Sequence, residues 1–187
     1  MRVRHVALAT LFTAIALIAP VAAQQAGTLR QPDVIFVPTP PEVVEAMLKL
    51  ANVSAKDVVY DLGCGDGIIV ATAAQKHGAR AVGIDIDPQR VKEATDRITK
   101  AGVTDKVKIL NQDLFESDIS PATVVTLYLL PSLNQKLIPK LNKELKPGTR
   151  IVSQSFDMGE DYPAEKTVEV GGRNVYMWTV PMKKRGS

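Results

Sequence analysis

Three short stretches carry side chains whose types and spacing could do chemistry. Residues 58–67 read VVYDLGCGDG, residues 83–87 read GIDID, and residues 111–115 read NQDLF. In the first, an acid, Asp61, is followed by glycines at alternate positions, Gly63, Gly65 and Gly67. Glycines let a backbone approach a ligand closely, and a helix start behind them offers unpaired N–H groups. The phosphate loop of NTPases is excluded, because no Gly-Lys-Ser/Thr ending is present. The dinucleotide fingerprint fits at Gly63 and Gly65 but fails at its third glycine, where Ile68 stands. Asp61 would sit badly beside a pyrophosphate and suits a ligand with a positive group. Asp85 lies 22 residues past Gly63, where a carboxylate can accept hydrogen bonds from both hydroxyls of a ribose. At a third strand end, Gln112 and Asp113 add an amide and an acid that could take the exocyclic amine of an adenine.

These residues need strands that end side by side. Val58–Leu62, Ala81–Asp85, Val107–Leu110, Thr123–Leu130 and Arg150–Ser155 read as strands. Helical patterns separate them: Ile68–His77 ended by Gly78, Pro88 to about Ala101 stopped by Gly102, and a run with Leu133, Leu137, Leu141 and Leu145. Pro139 should bend or split that last helix. Strands alternating with helices predict a parallel sheet covered on both faces. KTVEV, GGRN and VYMWTV then read as a closing hairpin. The fold class is therefore α/β, a Rossmann-like doubly wound sheet, mostly parallel with a C-terminal antiparallel hairpin. Ahead of it, VPTPPEVVEAMLKLA reads as an amphipathic helix, with Thr39 and Glu42 as a capping box and Pro40 at the first helical position.

DLGCGDG, GIDID, NQDLF and LKPGTRIVS together resemble the successive motifs of class I S-adenosylmethionine-dependent methyltransferases, from about Val37 to Val180. The resemblance implies a seven-stranded sheet with a reversed last strand and S-adenosylmethionine as cofactor. It places Asp61, Gly63 and Gly65 around the amino-acid part of that cofactor, with Cys64, Asp66 and Gly67 in the same loop. Asp85 goes to the ribose with Ile86 beside it, and Asp113 to the adenine between Gln112 and Leu114. Cys64 is expected to be a small residue fitting a tight turn rather than a redox group.

Methyl transfer from a sulfonium requires an oriented acceptor with a free lone pair, and a base only where the acceptor holds a proton. Histidines are few: His5 lies in the leader, and His77 reads as a cation at a helix end. LYLLPSLNQ after the fourth strand has no acid to hold a metal, and no metal is expected. An Asn-Pro-Pro-Tyr signature for amide or exocyclic nitrogens is missing too. FVPTPPEVVEAMLKLA and VVTLYLLPSLNQKLIPKLNKELKPGTRIVS are similar to small protein-lysine methyltransferases, including mitochondrial enzymes acting on ATP synthase and on the adenine nucleotide translocase. That likeness implies Pro38, Thr39 and Pro40 closing over the cofactor, and Tyr128, Leu130 and Pro131 lining the acceptor channel. The candidate acceptor-site residues are thus Thr39, Tyr128 and Pro131. A lysine amine, with a pKa of about 10.4, needs roughly 4.6 kcal/mol to be deprotonated at pH 7, and an apolar slot beside a sulfonium pushes that way. A small or lipophilic acceptor is the alternative, and a non-catalytic cofactor-binding module the alternative of another class.

The chain has 187 residues and a net charge of +3, which falls to +1 if Arg2 and Arg4 leave with a leader. No basic stripe with interleaved aromatics is present, so nucleic acid is not the expected partner. The expected organisation is a signal peptide or membrane anchor over 1–23, a linker over 24–37, and a monomeric methyltransferase domain over 38–187. The leader has a basic start, an apolar run from Val6 to Ala19, and a small-residue site at Val21-Ala22-Ala23. An apolar segment over 6–23 is just long enough to anchor in a membrane. Either way the domain is expected outside the cytosol or held at a membrane, with organelle targeting as a third possibility.

Overall fold

A computed structural model describes residues 29–186. The leader expected over 1–23 lies outside the described residues, as does part of the linker. Among the described residues no helix is long and apolar enough to cross a membrane.

The alternation of apolar strands and glycine-stopped helices gives eleven elements. They are α1 (Pro41–Leu50), β1 (Val58–Leu62), α2 (Ile68–His77), β2 (Arg80–Asp85), α3 (Pro88–Lys100), β3 (Val107–Asn111), β4 (Val124–Leu127), α4 (Pro131–Glu144), β5 (Arg150–Gln154), β6 (Lys166–Val170) and β7 (Arg173–Thr179). The strands form one sheet in the order β3-β2-β1-β4-β5-β7-β6. The first five are parallel, and β7 pairs antiparallel with both β5 and β6. The doubly wound α/β sheet with its antiparallel end is the expected one.

Strand alternation sends successive side chains to opposite faces. Val59, Val124 and Val152 meet α1 and α2 on one face. Leu62, Val125 and Ile151 meet Leu137 and Leu141 of α4 on the other. The strand order reverses between β1 and β4, which opens a crevice at their carboxyl ends.

Local readings are corrected in four places. The capping box does not form: the helix N-cap is Pro40, in extended conformation with no side-chain cap bond. A proline disfavours helical geometry in the residue before it, so Pro41 keeps Pro40 out of the helix and Pro40 does the same to Thr39. Thr39 is then free of capping and is buried instead. β4 stops at Leu127 rather than Leu130, because Tyr128 begins an irregular turn into α4. Pro139 does not split α4, which runs unbroken. The proline is exposed, so the carbonyl it leaves unbonded one turn back can be hydrated. The hairpin turn is Gly171-Gly172 alone, with Arg173 and Asn174 already in β7.

Gly67 requires its lack of a side chain. It starts α2 in left-handed geometry, φ 76°, and a Cβ there would lie 2.8 Å from Cβ and 3.0 Å from Cα of Ala94 in α3. Gly102, at φ 67°, has nothing within 4 Å of that position. Gly102→Ala is therefore expected to cost only backbone strain, about 1 kcal/mol. Gly67→Ala should add overpacking against a helix backbone and cost about 3 kcal/mol. Urea unfolding of the two variants side by side checks the difference.

Candidate active site

The turn after β1 is built from backbone bonds. Gly63 and Cys64 N–H both donate to the Ile84 carbonyl of β2, at 2.8 and 3.0 Å. Gly67 N–H donates to the Cys64 carbonyl at 2.9 Å. Asp85, at the end of β2, accepts from Gly65 N–H at 2.8 Å and from Asp87 N–H at 2.9 Å. One carboxylate thereby ties the glycine loop to the start of α3. From α3, Arg97 holds Asp66, donating to its carbonyl at 2.8 Å and its carboxylate at 2.5 Å. Cys64 is buried against Gly83, where an added Cβ would lie 2.8 Å from its sulfur. Burial pushes the Cys64 thiol well up.

These elements surround a cavity with about 900 Å³ of empty space, its open mouth included. Asp61, Gly63, Cys64, Gly65, Asp66, Asp85, Ile86, Gln112, Asp113 and Leu114 all line it. Gly67 does not, since it faces α3. Thr39, Tyr128, Leu129 and Leu133 line it too, with Leu129 against Gly63. Pro131 does not join them: it is exposed at the first turn of α4. The Tyr128 ring stacks on Phe156, centroids 6.3 Å apart. Among the described residues no histidine lines the cavity; His77 faces the Val53 carbonyl at 3.2 Å.

Asp61 is the electrostatic centre. It is 3% exposed, accepts from the Thr126 hydroxyl at 2.7 Å, and has no cation partner among the described residues. Burial, with Asp85 and Asp66 nearby, pushes its carboxyl up to about 7, against the opposing pull of Thr126. Burial also raises Asp85, against the backbone N–H groups that hold it. Three carboxylates thus face one space; Asp66 is paired with Arg97, while Asp61 has no cation among the described residues. Among the described residues no group of three or more His, Cys, Asp or Glu is placed to hold a metal ion.

Residues 29–37, the end of the expected linker, have no helix or strand and run along the cavity. Arg30 donates to both oxygens of Asp113, at 2.5 and 3.3 Å, and to Asp33 at 2.5 Å. Burial acts to raise the Asp113 carboxyl, but Arg30 and the Phe115 N–H together hold it low. The Phe36 ring covers Gly65 in the space a Cβ would need, and the Arg90 guanidinium lies 4.7 Å over that ring. Arg30, Phe36, Arg90 and Arg97 were not legible as site residues in the sequence, where the only cues were the prolines at 32 and 38.

Residues 61–165 match the model of the ANTKMT methyltransferase domain. The chain is 50% identical over 153 residues to a protein-lysine N-methyltransferase of Saccharolobus islandicus, covering 80% of this chain and 95% of that one. It is 30% identical over 141 residues to a mouse lysine N-methyltransferase named for an ATP synthase component, covering 75% of this chain but only 56% of the mouse protein. A crystal structure described as an RNA methyltransferase from Salinibacter ruber, in complex with S-adenosyl-L-homocysteine, superposes with a TM-score of 0.75 at 58% identity, over 77% of this chain and 94% of that one.

Proposed function

The chain belongs to the ANTKMT methyltransferase-domain family and is an S-adenosylmethionine-dependent enzyme, and on that premise we propose that it methylates the side-chain amine of a protein lysine. The observation that carries the acceptor is the part of the cavity lining formed by Thr39 and the residues that follow β4. Thr39, Tyr128, Leu129 and Leu133 offer hydroxyls and apolar surface, with no histidine and no carboxylate. Such a wall suits an aliphatic amine that must arrive neutral. The similarity to a protein-lysine N-methyltransferase over nearly its whole length supports the same reading.

The cofactor fits the residues present. Asp61 is a buried carboxylate without a cation among the described residues, and a ligand ammonium would complete it. Gly63 and Gly65 leave backbone open to close approach. Asp85 lines the cavity beside Ile86 and would accept from the ribose hydroxyls, and Gln112, Asp113 and Leu114 would flank the adenine. When bound, S-adenosylmethionine supplies a methyl group already activated on a sulfonium. The chain's part is to aim the acceptor along the line of that bond. The apolar wall disfavours the ammonium form of an incoming lysine, and the Tyr128 hydroxyl can accept one of its N–H groups. The proton leaves to solvent, so no dedicated base is needed.

A second reading, transfer to RNA, is favoured by the Salinibacter ruber relative described as an RNA methyltransferase. The two separate in one experiment. Full chain and tritiated S-adenosylmethionine are incubated with a cell extract, and label is counted in RNA and in protein. Label recovered as methyl-lysine after protein hydrolysis supports the proposal; label confined to RNA overturns it. The leader is a proposal of the same kind: a mature chain starting at Gln24 supports export and cleavage, and a retained Met1 leaves anchoring through 6–23.

A further inference from the structure

Residues 29–38 are held to the domain by side chains alone. They form no helix or strand, and no backbone–backbone hydrogen bond among the described residues ties them down. A segment anchored this way opens locally at a small fraction of the cost of global unfolding. Three side chains nevertheless fasten it, and all three line the cavity: Arg30, Val34 and Phe36.

Arg30 makes the first attachment. Its Nε donates to Asp113 Oδ2 at 2.5 Å and its Nη2 to Oδ1 at 3.3 Å, a fork across one carboxylate. Its Nη1 donates to Asp33 of the same segment at 2.5 Å, which holds the guanidinium in that pose. The guanidinium carbon also lies 5.7 Å from the centre of the Phe115 ring, within cation–π range. Val34 makes the second attachment by packing against the apolar cluster that includes Leu62 and Leu129. Phe36 makes the third. Its ring fills the space a Cβ on Gly65 would take, and the Arg90 guanidinium of α3 lies 4.7 Å from the ring centre.

The two outer attachments fall on the cofactor's own candidate partners. Asp113 follows β3 and would flank the adenine. Gly65 follows β1 and belongs to the loop for the amino-acid part. Asp85, at the end of β2 between those strands, is bonded to the same Gly65. Even so, the segment leaves about 900 Å³ of empty space, mouth included, between itself and the other lining residues. It covers the site without plugging it. Asp113 also keeps capacity for a ligand: Arg30 supplies two donors and the Phe115 N–H a third, at 2.9 Å. A carboxylate has about four acceptor sites, so one is left for an adenine amine while Arg30 stays in place.

We infer that residues 30–37 are a removable cover on the cofactor site and that the Arg30–Asp113 pair is its latch, so that the site exchanges its cofactor only when Arg30 lets go. Phe36 is then a binding residue that closes the site over Gly65. Arg30 is a positioning residue that acts through Asp113. The inference concerns cofactor exchange and is the same for any methyl acceptor. An ion pair suits a latch here, because the two side chains are 39% and 15% exposed and water can compete for them. Because the pair forms without a ligand, it slows entry and release alike.

The test uses the full chain and labelled S-adenosylhomocysteine. Its release is followed after a chase with excess unlabelled compound, at low salt and at about 1 M salt, with equilibrium affinity and melting temperature measured on the same samples. At low salt Arg30→Gln is expected to release and to take up S-adenosylhomocysteine about fivefold faster than wild type, with affinity within about twofold. Arg30→Lys, which keeps the charge without the fork, should fall between them. High salt should speed the wild type and bring the chains together. Without ligand the Arg30 variants should melt within about 2 °C of wild type, because the segment lies outside the helices and strands. Phe36→Ala removes the cover itself and should weaken binding about tenfold. An Arg30→Gln chain that exchanges at the wild-type rate overturns the latch. So does one that binds more tightly with release unchanged, which would make Arg30 a competitor of the adenine. One that binds more weakly with uptake unchanged also overturns it, since Arg30 would then be an ordinary ligand contact.

Discussion

Without cofactor, an Asp61→Asn chain is expected to melt above the wild type near pH 8, and the wild type to lose stability as pH rises from about 4 to about 7. The cause is the burial that pushes the Asp61 carboxyl from 3.8 to about 7. The folded chain keeps a proton there that the unfolded chain has lost. The stabilisation is complete below the unfolded value and is lost as pH rises through the folded one. The window from 3.8 to about 7 corresponds to about 4 kcal/mol. Asparagine removes the charge and the dependence with it. Asp85, also raised by burial, adds in the same direction. Asp57 works oppositely: burial acts to raise its carboxyl, but Thr123, Ser54 and Arg150 hold it low, so its contribution changes only at more acidic pH. A cofactor ammonium would restore the Asp61 charge. S-adenosylhomocysteine should therefore bind more tightly as pH rises toward 7, and Asp61→Asn should weaken it about 100-fold. Melting curves and calorimetry at two pH values check both halves. A wild type whose apo stability climbs between pH 5 and 8, with the variant following it, would contradict the account of Asp61.

Asp85→Ala is expected to lose S-adenosylhomocysteine affinity by about 100-fold or more, with a smaller effect on folding. The carboxylate makes two bonds to backbone N–H groups, at Gly65 and Asp87. Their loss frees the glycine loop from the end of β2 while the loop's other anchors, through Ile84 and Arg97, remain. A ligand ribose would lose its acceptor in the same stroke. Each charge-assisted bond is worth about 1.5–3 kcal/mol, and two lost ligand bonds give the expected loss. Asp85→Asn keeps one acceptor oxygen and should fall between the two. Isothermal calorimetry beside thermal melts separates binding from folding; equal affinity in Asp85→Ala and wild type would remove Asp85 from the ribose.

What the sequence made legible was local. Asp61, the glycines and Asp85 sit on one strand–turn–helix–strand unit, where spacing alone fixes their meeting, and the parallel pairing of the sheet followed from alternating elements. Residues joined across long stretches of chain were not legible. Arg30 meets Asp113 over 83 positions, and no local pattern announces that pairing. Thr39 failed differently, because a capping box and two successive prolines compete for the same residues and the proline sterics win. The end of β4 was misplaced because the apolar run through Leu130 carries no signal of where pairing to β1 and β5 stops. Pro131 was placed at the acceptor by analogy with a turn, and α4 carries it outward instead.

The central claim is transfer of a methyl group from S-adenosylmethionine to a lysine amine. The most direct measurement is mass spectrometry of protein digests and of RNA nucleosides after the full chain has acted on a cell extract with methyl-deuterated cofactor, with Asp61→Asn as control. The account predicts deuterated methyl-lysine in protein with the wild type and almost none with the variant. Deuterium in RNA nucleosides with none in lysine, or lysine labelled equally by both chains, would contradict it.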